Sequence, residues 1–138
     1  LIDTERNDDD NVLLLQAIIY KLGFKRIIRI SSGFHDQIIA FTSHLPHVMA
    51  VSLINSDVEA RNTEIYMGGS YRDATRVADI NEDLWTELFL GNKENLLEVI
   101  DDFMAEMGRF REDLAKGDRV ALNKRLKRAT KRRRRLNK

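Results

Sequence analysis

Residues 35–47, HDQIIAFTSHLPH, contain all three histidines of the chain and its single proline. Imidazoles at that density suit metal ligation, a substrate-binding wall, or an ordinary helix with hydrogen-bonded core histidines. A metal site needs three or four converging ligands. His35 and His44 are nine residues apart, on opposite sides of a helix. His44 and His47 are one turn apart, but no cysteine and no HExxH pattern adds to them, so no metal site is expected. Core packing accounts for any one histidine better than for the cluster. Asp36, Ala40, Ser43 and His47 fall at i, i+4, i+7 and i+11, one stripe carrying a carboxylate, a hydroxyl and an imidazole. Pro46 removes the N–H that would bond Thr42, so a kink is expected beside that stripe. Polar groups converging at a kink in an apolar helix describe a ligand pocket.

An anionic ligand would also need a cation. GGSYRDATRVA places Arg72 and Arg76 one turn apart beside the Gly68-Gly69 pair and a helix start, where exposed N–H groups favour anions. Arginine's planar fork suits a carboxylate. An ordinary surface pair between Arg76 and Asp73 explains the spacing equally well.

The elements that must hold these residues are mostly helical. Residues 8–23 read as a helix with an acidic N-terminus, closed by Gly23. FKRIIRIS reads as one strand bounded by Ser31-Ser32-Gly33. A lone strand cannot satisfy its own backbone, so the helix–strand pair suggests the end of an α/β sheet. Residues 35–56 form one apolar helix bent at Pro46. A polar joint, NSDVEARNTEIYMGGS, follows, then a short helix in YRDATRVADI. Two more helices break near Gly91-Asn92 and Gly117, with Asn81 and Asn92 as N-caps. A last helix starts at Asp118. Leu96, Leu97, Ile100, Phe103, Met104 and Met107 form an apolar stripe wider than a short domain can cover, the mark of an interface.

Length and composition allow one globular domain with a sizeable core. The lack of cysteine suits a reducing compartment. No apolar run approaches the ~20 residues of a bilayer span, and no signal-peptide pattern opens the chain. The net charge of +1 conceals a split: residues 124–138 carry ten Lys and Arg and no acid, leaving 13 basic against 22 acidic groups elsewhere. With no glycine or aromatic interleaved, the tail lacks the stacking groups of a nucleic-acid site. Cations complementing a helix C-terminus are the simpler reading. A helical dimer module whose basic tail binds nucleic acid is the rival.

Taken together, His35-Asp36, Ala40, Ser43-His44-Leu45-Pro46-His47, Gly69, Tyr71-Arg72-Asp73, Thr75-Arg76-Val77-Ala78 and Trp85 resemble the C-terminal domain of the prephenate dehydrogenase family in order and spacing. The resemblance covers nearly the whole chain. It implies a mainly α fold, the helical dimerisation domain of a 6-phosphogluconate-dehydrogenase-like enzyme over residues 34–138. Residues 1–33 would be a remnant of the dinucleotide-binding α/β domain. It implies NAD-dependent oxidative decarboxylation of prephenate to 4-hydroxyphenylpyruvate in tyrosine biosynthesis, in a cytoplasmic homodimer, with arogenate as the alternative substrate. Arg76 resembles the substrate-carboxylate anchor, and His47 the pocket histidine that affects tyrosine feedback. Ser43 and His44 belong to the same wall, and Gly69 and Trp85 border the cleft. Asp73 joins an ionic network around Arg76, while His35 and Asp36 serve geometry. The family's catalytic base and NAD site lie in the dinucleotide domain, so this chain alone is expected to be inactive. Its opening on Leu1 rather than Met suggests part of a longer protein.

Overall fold

The computed structural model describes residues 1–58 and 61–136; Glu59 and Ala60 of the polar joint and Asn137 and Lys138 of the basic tail lie outside them. The chain forms two compact units, Leu1–Leu97 and Glu98–Lys138.

The first unit opens with β1 (Ile2–Asp3), α1 (Asp9–Lys21) and β2 (Ile30–Ser31). Asp8 caps α1 by accepting from the Asn11 N–H, and Gly23, at φ 93°, terminates it in a conformation that favours glycine. β1 and β2 pair in parallel, Ile2 opposite Ile30, with Arg29 bridging to Asp3 at 2.8 Å. This corrects the expected strand over 24–31 in two ways: only its last two residues are extended in a ladder, and the opening segment is its partner. A parallel partner arrives by a crossover, so it leaves no local hairpin signal.

The expected 35–56 helix begins earlier and is built in three parts: α2 (Ser32–Ile39), a π-helical segment (Ala40–His44) and α3 (Leu45–Asn55). Ser31 caps α2, accepting from the Phe34 N–H. The Leu45 N–H reaches back five residues to the Ala40 carbonyl. Pro46 has no N–H to continue an α ladder, so the distortion lies in the turn before it. Continuous through the π segment, Ser32–Asn55 is long and apolar enough to cross a membrane by length and composition, against the expectation that no run is. Scattered polar residues mask its length in the sequence. One face is already committed to the unit: Ala40, His44, Leu45 and Ala50 are buried.

α4 (Thr63–Tyr66) is a single turn inside the polar joint. α5 (Gly69–Thr75) runs into a 3₁₀ turn, Arg76–Ala78, and both pack on α3. Asn81 caps α6 (Glu82–Gly91), accepting from the Leu84 N–H at 2.9 Å. α7 (Lys93–Ala115) follows, with the boundary between the units inside it.

In the second unit, Gly117 (φ 63°) turns the chain into α8 (Arg119–Leu136), capped by Asp118. Part of the basic run is used internally. Arg125 binds Asp113 through Nε and Nη2 and Glu106 through Nη1, while Arg128 and Arg109 also reach Glu106. Hydrogen bonding to Arg109 and then Arg125 holds the Glu106 carboxyl below its usual value. The expected sizeable core is not found within the chain: among the described residues the buried apolar side chains are Ala40, Leu45, Ala50 and Leu96. Leu97, Met104 and Met107 of the α7 stripe are exposed.

Candidate functional site

The π segment changes which side chains share a face. It inserts a wider turn between Ala40 and His44, so the stripe read at a constant 3.6-residue period is broken midway. His44 turns inward, 5% exposed, and meets Trp85 and Phe89 edge-on at 6.1 and 5.8 Å. His47, on the next turn, stacks on Trp85 at 3.7 Å with 27° between the ring planes. Trp85 and Phe89 are one turn apart on α6 and tilt together at 5.4 Å. Two imidazoles and two aromatic rings therefore form one continuous wall.

The two imidazoles are chemically different. Burial pushes the His44 imidazole below its usual value; the charge of His47 adds to this and Asp36 opposes it. Its Nδ1 is buried without a hydrogen-bond partner among the described residues, which favours a neutral ring. His47 Nδ1 lies 2.8 Å from the Ser43 carbonyl. A carbonyl only accepts, so Nδ1 carries the proton, and Nε2 is an acceptor in the neutral ring and a donor in the imidazolium. Ser43 thus orients His47 through its backbone.

The anchor candidates sit on the elements packed against α3. Arg76 opens the 3₁₀ turn and is exposed, as are Arg72 and Asp73. Among the described residues none of the three forms a salt bridge, so the Arg76–Asp73 pair is not made. Thr75 is buried and donates to the Tyr71 carbonyl at 2.8 Å, fixing the turn that presents Arg76. Gly68 precedes α5 without a side-chain cap, and the space a Cβ on Gly69 would occupy is open. His35 and Asp36 contact each other at 2.9 Å on the exposed part of α2. Among the described residues no three metal-ligating side chains converge.

Phe89 of the wall, and Asn92 outside it, were not among the expected site residues. Phe89 is signalled only by its i+4 spacing from Trp85. Asn92, expected as an N-cap, instead reaches across to the backbone of α2.

Residues 31–128 match the family model described as prephenate dehydrogenase, dimerization domain. A cyclohexadienyl dehydrogenase of Zymomonas mobilis is 44% identical over 98 residues, 67% of this chain and 33% of that protein. A prephenate dehydrogenase of Lactococcus lactis is 30% identical over 112 residues, 78% of this chain and 31% of that one. Among solved structures, prephenate dehydrogenase from A. aeolicus in complex with hydroxyphenyl propionate and NAD+ superposes with a TM-score of 0.87 at 26% identity, covering 98% of this chain and 48% of that one. Synechocystis arogenate dehydrogenase gives 0.85 at 23% identity, a likeness of fold, over 98% of this chain and 50% of that one. The chain thus spans about a third of these curated relatives and about half of the solved chains.

Proposed function

This chain belongs to the prephenate dehydrogenase family through its dimerization domain, and from that premise we propose that it forms the substrate wall of an NAD-dependent enzyme that oxidatively decarboxylates prephenate. The observation that carries this reading is the His47–Trp85 stack at 3.7 Å, on a distorted helix packed against the turn that bears Arg76. The A. aeolicus relative, whose structure holds hydroxyphenyl propionate, supports a phenol-sized ring at this wall.

The reaction takes hydride from the hydroxyl-bearing ring carbon, transfers the hydroxyl proton to a base, and releases the ring carboxylate as carbon dioxide. Arg76 binds the side-chain carboxylate, well suited to it by its fork. A cation held equally well on the ring carboxylate would oppose its departure, because only interactions that strengthen toward the transition state accelerate the step. Trp85 and Phe89 offer an apolar, not a cationic, surface there. His47 Nε2 is placed to bind a polar group of substrate or of tyrosine as feedback ligand. Ser43 and His44 hold that wall, and Gly69 leaves room at its edge. His35 and Asp36 shape the start of the helix.

NAD supplies the hydride acceptor, and the residues present do not form its site: no G-x-G-x-x-G occurs in the chain. We place both NAD and the catalytic base in a dinucleotide-binding domain, of which the parallel β1–α1–β2 unit in residues 1–33 is the end. Exposed apolar faces on α7 support a homodimer, and the chain's likeness to biosynthetic dehydrogenases supports a cytoplasmic setting. A second reading, activity on arogenate as well, is favoured by the 44% identity to a cyclohexadienyl dehydrogenase.

The test is equilibrium binding of 4-hydroxyphenylpropionate to the full-length enzyme. His47→Leu and Trp85→Leu should each weaken it about tenfold, the loss of one good contact. Undiminished affinity in both would remove the wall from the site.

A further inference from the structure

We propose that Asn92 is a positioning residue for this wall: its side-chain amide fixes the kinked helix against α6 and thereby sets the His47–Trp85 stack. The inference rests on the reading above for what the stack serves, but not for the stack itself.

Asn92 lies in the break between α6 and α7, and its Nδ2 donates to the Asp36 carbonyl at 2.8 Å across 56 residues of sequence. Because a carbonyl only accepts, the amide must turn its NH₂ toward α2. Its Oδ1 then faces Asn95, whose Nδ2 donates to it at 2.8 Å. The Asp36 carbonyl thus sets the orientation of both amides, and the second bond adds a further tether to Asn92. An N-capping role would direct the same oxygen to a backbone N–H; here it serves the brace.

The point of attachment matters. The Ala40 N–H is shared between the carbonyls of Asp36 and Gln37, and the π segment begins at Ala40. Asn92 therefore holds the helix at the turn that leads into the register change, about two turns before His44 and three before His47. Apolar ring packing tolerates sliding, whereas a hydrogen bond is confined in distance and angle. Among the described residues no other side-chain hydrogen bond joins α6 or its end to residues 32–55. Among the described side chains, Asn92 is the one that sets that spacing by a directional contact.

Asn92→Asp keeps the shape but turns an acceptor toward the carbonyl, and Asn95→Ala leaves the donor but removes its tether. In the full-length enzyme the readouts are the ring-proton shifts of His47, identified by their absence in His47→Leu, and the Kd of 4-hydroxyphenylpropionate. Asn92→Asp should move the His47 signals toward unstacked values and raise the Kd about tenfold. KM for prephenate should rise with kcat within about twofold, and Asn95→Ala should shift each readout less, in the same direction. If Asn92→Asp does not fold, Asn95→Ala still decides. Unmoved His47 signals and Kd, with or without a lower melting temperature, would make Asn92 a plain structural brace and overturn the proposal. Failure of the wild-type enzyme to bind the ligand would instead overturn the substrate-wall reading, leaving the His47 shifts to judge Asn92.

Discussion

His44 is buried, with no partner for Nδ1 among the described residues, and burial lowers its pKa, three residues before a histidine whose Nδ1 is turned to the Ser43 carbonyl. Its depressed pKa fixes a sign. The folded state binds its proton less readily than the unfolded chain, whose histidine titrates near about 6.5. The stability from neutral His44 is therefore fully present above that pH and is lost as pH falls through the folded value. Resistance of the wild type to urea should fall as pH drops below about 6.5, and His44→Phe should flatten that dependence; parallel profiles would contradict it. The types and spacing of the histidines were legible in the sequence, including the inability of His35 and His44 to share a face. Their division of labour was not, because burial depends on Phe89 and Trp85, which come from a helix some forty residues away.

At the scale of the element, the π segment decides the site. Pro46 announced a distortion, but a constant helical period could not place it, since the ladder yields in the turn before the proline. Restoring the N–H with Pro46→Ala permits the α register. We expect unchanged or raised thermal stability with ligand affinity lowered about tenfold as His47 leaves Trp85, measured by melting and by binding of 4-hydroxyphenylpropionate. The α7–α8 hairpin makes the opposite point, since Gly117 and Asp118 were readable from local chemistry. The Arg125–Asp113–Glu106 cluster was not, because its partners lie twelve and nineteen residues apart. Arg125→Met should lower the melting temperature near neutral pH. Glu106 is held below its usual value, so its contribution is present above about pH 4.3 and lost as pH falls through the folded value. The gap between variant and wild type should accordingly narrow in acid.

At the scale of the whole molecule, a chain with four buried apolar side chains among its described residues leaves much apolar surface uncovered. The sequence showed the α7 stripe as an excess, and the structure leaves Leu97, Met104 and Met107 exposed on it. The parallel β1 partner was hidden because two residues carry no periodicity. If the stripe is the dimer seam, Met104→Glu with Met107→Glu should yield monomers by sedimentation; an unchanged dimer would place the seam elsewhere. The central claim, that this domain holds the substrate by Arg76 beside the histidine–tryptophan wall, is tested most directly by NADH formation in the full-length enzyme. Prephenate and arogenate would be compared in wild type and Arg76→Ala. Prephenate should turn over, with KM raised roughly ten- to hundredfold by the variant, the loss of one charge-assisted anchor. An unchanged KM would contradict it.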